Sequence, residues 1–345
     1  MNSCRINYID RMKGMAILIV VLAHVFLFSF DMSDSIIFRF CASFEMPLFM
    51  FISGFVAYID SHFNNTRCAQ KLRKRFVSYI CPAFVVSYVV ALYDFLILDN
   101  REIDIVDTLT GGLWYLKALA IFSFLQAILM KCKNAKTELL LIAVAEVVFL
   151  VGWKTCPLLY QEFCLEHCFF FYPFFMLGYY SRKYDLVKVL KSRNWIFTVS
   201  LIGYVCLLNA SIDDYVLRFL SERIVRPVFA ITAITYLFAI RENVENRLEK
   251  WLNRIGTKTL DIYIYHGVLI QSFYSCFDFR FVKQTGSVMN NPITYCMIAL
   301  LTTLLLAYVS MAIGVLVRKS NFLEKIVYGK FDTLNEKNKN TSRMP

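Results

Sequence analysis

Ten stretches of mainly apolar residues, each about 16 to 25 long, follow one another along the 345-residue chain with short polar breaks between them. A bilayer's hydrocarbon core is about 30 Å thick and takes about 20 residues of α-helix to cross. Lipid offers backbone N–H and C=O groups no hydrogen bonds, so such a stretch must satisfy its own, as a helix. The runs lie at about 14–30, 36–59, 76–98, 113–130, 138–153, 165–181, 195–211, 223–240, 259–279 and 293–317. They predict an all-α, polytopic transmembrane helical bundle of about ten spans. One membrane domain covers 1–317, and a polar tail covers 318–345. Composition agrees, with 58% apolar and 18% charged residues, against about 45–50% and about 25% in soluble domains. Soluble enzymes, disordered chains and disulfide scaffolds are thereby excluded. The first run, Met15 to Phe30, follows Arg5, Arg11 and Lys13 and lacks a small-residue cleavage site. It is expected to stay as the first helix and not to be removed as a signal peptide.

The net charge of +11 would suit nucleic acid if it lay on one face. The basic residues instead form short clusters between the apolar runs, a pattern that orients helices in a membrane. With the amino terminus placed in the cytoplasm, 28 of the 37 Lys and Arg fall on the inner side, including Lys71, Arg73, Lys74 and Arg75. The outer loops are acidic, with Asp31, Asp34, Asp99, Glu102, Asp104 and Asp107. This alternation holds along the whole chain, so both termini are expected in the cytoplasm. Most of the eleven cysteines, such as Cys41, Cys81, Cys206, Cys276 and Cys296, sit inside apolar runs and read as small hydrophobes. Cys156, Cys164, His167 and Cys168 cluster near a loop without metal-ligand spacing, so no metal site is expected.

Polar groups in lipid are costly, and each is a functional hypothesis. His24 lies eleven residues after Lys13. At about 100° per residue the two return to nearly the same helix face, about 16 Å apart along the axis. Lys13 would then mark the cytoplasmic mouth and His24 the middle of the membrane. The alternative is a histidine that hydrogen-bonds to a neighbouring helix for packing alone. Glu45 follows a tight link between the first two runs, which places it within about 5 Å of the depth of His24. A carboxylate there could orient the imidazole, or it could pair with Arg39. Pro47 breaks the helical hydrogen-bond ladder, and Ser53 with Gly54 permits a close helix contact. The run Lys71-Leu-Arg-Lys-Arg75 serves topology, or holds a cytosolic polyanion through its guanidinium forks. Trp114 and Tyr115 suit an interfacial aromatic belt; Lys117 beside them is less expected. Asp261, Tyr263 and His266 share the ninth run, where His266 either lines a cavity or bonds across helices. His62 and His167 lie near loops and read as solvated.

Several of these segments resemble motifs of the acyltransferase-3 family of integral membrane O-acyltransferases. They are Ile9-Asp-Arg-Met-Lys-Gly-Met-Ala-Ile-Leu-Ile-Val-Val-Leu-Ala-His24 and Met46-Pro-Leu-Phe-Met-Phe-Ile-Ser-Gly54. Leu113-Trp-Tyr-Leu116, Phe174-Phe-Met-Leu-Gly178 and Ile255-Gly-Thr-Lys-Thr-Leu-Asp-Ile-Tyr-Ile-Tyr-His266 also match, in order, from about residue 7 to 317. The resemblance implies transfer of an acyl group, usually acetyl from cytosolic acetyl-CoA, to a hydroxyl of a glycan or lipid-linked sugar. It also implies a multi-pass protein of a cell membrane, the bacterial inner membrane, in the short form without an added hydrolase-like domain. The family's basic-x10-His motif, commonly Arg, falls on Lys13 and His24. Glu45 stands where the family often has His or Asp, and Ser78 where a further basic residue is common.

The chemistry requires a base to take a proton from a poorly nucleophilic hydroxyl. His24 is the candidate base and Glu45 its candidate orienter. Lys13, Lys71, Arg73, Lys74 and Arg75 suit the phosphates of CoA, a donor substrate and not a resident cofactor. Ser53 and Tyr115 are candidate oxyanion donors, and Trp114, Lys117, Asp261, Tyr263 and His266 candidate cavity-lining residues. The expected partners are acyl-CoA, a sugar acceptor and the bilayer, with no nucleic acid. The rival reading is a proton-coupled transporter or flippase of a lipid-linked glycan, using the same groups as a relay. Inverted repeats, common in transporters, are not visible in the sequence.

Overall fold

The computed structural model describes residues 6–30, 32–58, 65–97, 113–132, 134–155, 163–276 and 292–330. Every regular element among them is helical. In chain order these are α1 (Asn7–His24), α2 (Ile36–Ala42), α3 (Glu45–Ala57), α4 (Asn65–Ile97), α5 (Trp114–Leu129), α6 (Ala135–Thr155), α7 (Leu165–Lys183) and α8 (Leu186–Lys191). They continue with α9 (Asn194–Asn209), α10 (Tyr215–Leu220), α11 (Arg226–Ile240), α12 (Arg247–Gly256), α13 (Thr259–Cys276), α14 (Pro292–Lys319) and α15 (Asn321–Tyr328). Turns of π-helix prolong α1 at Val25–Ser29 and join α10 to α11 at Ser221–Val225.

Four helical stretches among the described residues are long and apolar enough to cross a membrane: Asn7–Ser29, Ile36–Ala57, Tyr215–Ile240 and Thr294–Lys319. Trp114–Leu129, Asn194–Asn209 and Thr259–Ile270 are apolar but shorter. The runs expected at 138–153 and 165–181 lie within α6 and α7, and that expected at 76–98 lies in α4 up to Ile97, with residue 98 outside the described residues. Of these, α6 carries Lys136, Glu138, Glu146 and Lys154, which leave no long uncharged window. The burial pattern is that of a membrane protein. Leu139, Leu140, Val147, Val148, Leu301 and Leu316 face outward, while Asp261, Ser310, Gln126, Thr303 and His266 are buried. Water would not leave the first set exposed on so many neighbouring turns.

The chain forms two compact units, one from 1–58 with 173–314 and the other from 59–172 with 315–345. In the first, α1 packs against α12, α3, α13 and α11, and α9 packs on α11. In the second, α4 packs against α5 and α15.

The expected second run, 36–59, divides into α2 and α3 at Ser43 and Phe44. Pro47 has no N–H to offer the Ser43 carbonyl, and its ring crowds that oxygen, so the ladder fails four residues upstream of the proline. The Ser43 hydroxyl compensates, donating to the Phe40 carbonyl at 2.7 Å and meeting the Tyr204 hydroxyl at 2.8 Å. Helices α3 and α7 then cross at two glycines. A Cβ on Gly54 would strike the Phe175 carbonyl, and one on Gly178 the Phe51 carbonyl. The Ser-Gly pair thus makes the close contact its composition suggests.

Candidate active site

Lys13 and His24 both lie on α1, and two close approaches hold that helix in place. At its amino-terminal end α1 meets α12 backbone to backbone, since a Cβ on Gly14 would collide with the Leu252 carbonyl and one on Gly256 with the Asp10 carbonyl. Charge reinforces this contact. Arg11 donates from Nη1 to the Arg241 carbonyl at 2.8 Å and lies 3.5 Å from Glu249 Oε2, while Arg241 Nε donates to Glu249 Oε1 at 3.0 Å. The side chains of Arg11 and Glu249 are each only 5% exposed, so removing either would strand a buried charge. Two residues on, Lys13 pairs with Asp10 at 3.1 Å and remains partly open.

The second approach is ten residues further along both segments, from Gly14 to His24 and from Gly256 to His266. There His24 Nδ1 lies 2.9 Å from His266 Nε2. The ring centroids are 5.1 Å apart with only 4° between the planes. The nitrogen gap plus the distance from each nitrogen to its ring centre accounts for that spacing. The rings therefore lie edge to edge in one plane, aligned for a straight hydrogen bond, and not face to face. His266 is 3% exposed, and its Nδ1 sits 2.9 Å from both the Ile262 and the Tyr263 carbonyl oxygens. His24 is the more open of the two and follows directly into the π-turn, where Phe28 places a half-exposed ring 5.6 Å from the imidazole.

Of the alternatives open for His266, the cross-helix hydrogen bond is the one observed. Glu45 makes no hydrogen bond to His24 and no ion pair with Arg39 among the described residues. It opens α3, where a carboxylate is favoured by the helix dipole, and its Oε2 is buried without a hydrogen-bond partner. Depth along a hairpin placed it near His24; helix rotation, which depth does not fix, decided the contact for His266. Ser53 donates back to the Phe49 carbonyl at 2.9 Å. Asp261 is fully buried in space that Gly314 leaves open, and Tyr263 lies with its ring 5.8 Å from that of His266.

The second unit holds the remaining expected residues. Arg73 and Lys74 are exposed on α4, with Lys71 and Arg75 partly buried. Trp114 opens α5 behind Leu113, whose φ of 52° puts a bulky residue in the left-handed region. The Trp114 ring lies 4.1 Å from that of His167 and 5.2 Å from that of Phe171. His167 is thus stacked and partly buried, not solvated, because the neighbouring turn brings Trp114 over it. Tyr115 and Lys117 are both buried. Among the described residues no group of His, Cys, Asp or Glu is arranged to hold a metal; Cys156 and His62 lie outside them.

Three features had weak or no sequence signal. Glu249 and Arg241 read only as loop charges, and the pairing of His266 needs helix rotation. Glu146, both of whose carboxylate oxygens are buried without a hydrogen-bond partner among the described residues, was hidden within a short apolar run. No curated protein and no solved structure matches the chain. The profile of a family described as an acyltransferase domain matches residues 6–312, which take in α1 with His24, the Met-Pro segment of α3 and α13 with His266, and the chain belongs to the acyltransferase-3 family of membrane acyltransferases.

Proposed function

We propose that this membrane acyltransferase moves an acyl group, acetyl in the first instance, from cytosolic acyl-CoA to a hydroxyl of a cell-surface polysaccharide or lipid-linked glycan. The observation that carries the reading is the in-plane pair of His24 and His266, two imidazoles in apolar helices within the family match. In the proposed step His24 takes the hydroxyl proton as the oxygen attacks the thioester carbonyl carbon. The tetrahedral intermediate collapses with loss of CoA thiolate, which recovers the proton from the imidazolium and leaves as the thiol. An ester remains on the sugar. General-base assistance of this kind is worth about 10²–10⁴-fold.

The proposal extends to topology and donor binding: about ten spans, both termini in the cytoplasm of a bacterial cell, and Lys13 with the Lys71–Arg75 cluster meeting the phosphates of CoA. The charge asymmetry of the loops and the fit of guanidinium forks to phosphate support this. The test is incubation of purified protein in vesicles with acetyl-labelled acetyl-CoA and glycan extracted from the source cells. Label recovered as alkali-labile ester on the glycan is expected. Movement of glycan across the vesicle wall without ester formation would overturn the reading in favour of a transporter.

A further inference from the structure

We infer that His266 is a positioning residue that fixes the tautomer of His24, so that Nε2 of His24 is the nitrogen presented to the reacting hydroxyl. The inference deepens the proposed function and rests on His24 being the base. It follows from hydrogen-bond bookkeeping. His266 Nδ1 has two carbonyl oxygens at 2.9 Å, from Ile262 and Tyr263. Carbonyl oxygens only accept, so the ring proton of a neutral His266 belongs on Nδ1. Its Nε2 is then a lone pair, and the group facing it at 2.9 Å, His24 Nδ1, has to be the donor. A neutral His24 with its proton on Nδ1 carries its lone pair on Nε2, the edge turned away from His266.

Burial agrees with this order. The inner ring, at 3% exposed, is anchored to main chain, and the outer ring is the accessible one. The coplanar, edge-to-edge arrangement is the geometry in which such a bond is strongest. When His24 takes a proton on Nε2, the imidazolium keeps donating through Nδ1 to His266. The charge is thereby stabilised by a neutral ring whose own N–H points at two carbonyl dipoles. This is the part that a buried carboxylate plays in serine hydrolases, where loss of the correct tautomer costs about 10⁴-fold in turnover.

The test uses isosteres that separate the two ends of the His266 ring. Gln reaches as far as Nε2 and can offer His24 a carbonyl acceptor. Asn reaches only as far as Nδ1, so it keeps a donor for Ile262 and Tyr263 but leaves His24 without a partner. His266→Gln is expected to keep turnover within about tenfold of wild type. His266→Asn and His266→Leu should lose about 100-fold or more in kcat with little change in KM for acetyl-CoA. A role in packing alone predicts the opposite order, with Asn the milder change. Independently of activity, ¹⁵N spectra of histidine-labelled protein in bilayers read the tautomer directly. The chain has four histidines, and His62 and His167 can be replaced to leave two signals. The expected spectrum places the His24 proton on Nδ1 in wild type and on Nε2, the form an unconstrained histidine side chain prefers, in His266→Leu. A wild-type His24 protonated on Nε2, or full turnover in His266→Leu, would overturn the inference. An Nδ1 proton on His24 in a protein that transfers no acyl group would uphold the tautomer lock and count against the proposed function instead.

Discussion

A histidine placed mid-helix in an apolar segment loses hydration that only a partner can replace. In His24 that partner is a second histidine, and the pair fills its inner hydrogen-bonding needs while turning one nitrogen of the outer ring away from the contact. Replacement of His24 by Ala is therefore expected to reduce acyl transfer by at least 100-fold with membrane insertion and detergent extraction unchanged, measured as ester formed per mole of monodisperse protein. Activity within about tenfold of wild type would remove it as the base. His24 stood out in the sequence, from its place eleven residues after Lys13 and its apolar surroundings. Its partner did not. Glu45 and His266 were both polar residues at plausible depth, and depth along a span does not say which side chain faces the imidazole. Glu45 instead opens α3 and makes no hydrogen bond to His24. A double-mutant cycle of Glu45→Gln with His266→Leu should accordingly show independent, multiplicative effects on turnover, whereas residues of one catalytic unit are grossly non-additive.

Helix α1 is set by what lies at its two ends. The glycines at 14 and 256 bring its backbone against α12, and α12 leads through Thr257 and Lys258 into α13. The glycine contact thus helps determine where His266 falls against His24. Gly14→Leu should separate the segments and lower kcat at least tenfold, while Gly203→Leu, whose Cβ would press on the Phe229 side chain and not on backbone, should leave kcat near wild type. The comparison is made on enzyme purified at equal monodispersity. The ionic clamp beside the glycines gives a second expectation. Glu249→Ala leaves Arg11 buried without its carboxylate, and loss of one partner of a buried pair costs about 3–5 kcal/mol. Arg241 is half exposed and can rehydrate, so a destabilisation at or below the low end is expected, read as a lower unfolding temperature in detergent. Helix α12 was not anticipated between the runs at 223–240 and 259–279, although Leu248, Trp251, Leu252 and Ile255 recur at helical spacing and Asn246 caps it by accepting from the Glu249 N–H at 2.8 Å. Its charged flanks made it read as a loop between spans. The break at Ser43 was legible from Pro47; the Tyr204 hydroxyl that stabilises it, 161 residues away, was not.

At the scale of the whole chain, the same basic residues can serve two ends. Clusters between apolar runs bias which side of the membrane a loop occupies, and a cluster facing the cytosol also meets anionic substrates there. In Lys71-Leu-Arg-Lys-Arg75 the two uses can be separated by degree. Topology depends on the summed Lys and Arg of all inner loops, of which this cluster is a small part of the 28 assigned, so its loss should leave orientation intact. Phosphate binding depends on particular groups, since a guanidinium fork holds two oxygens at once and neutral substitutes hold them weakly. Arg73 and Lys74 stand exposed on α4 and Arg75 is partly buried, so the first two can change without disturbing packing, and Arg75→Gln keeps a donor in the third place. The combined change Arg73→Gln, Lys74→Gln and Arg75→Gln is expected to raise KM for acetyl-CoA about tenfold or more and to leave KM for the glycan within about twofold. Each lost charge-assisted hydrogen bond is worth about 1.5–3 kcal/mol in a dry site and less where water competes. Raising the salt concentration should narrow the difference between wild type and variant, because exposed charges act over a distance of only about 8 Å at physiological ionic strength. Labelling of single cysteines placed in the tail and in the loop after α7 checks orientation in the same preparations. An unchanged KM for acetyl-CoA with correct orientation would return the cluster to topology alone and leave the donor's phosphates to Lys13, which stands two residues from the buried Arg11 with its ammonium on Asp10.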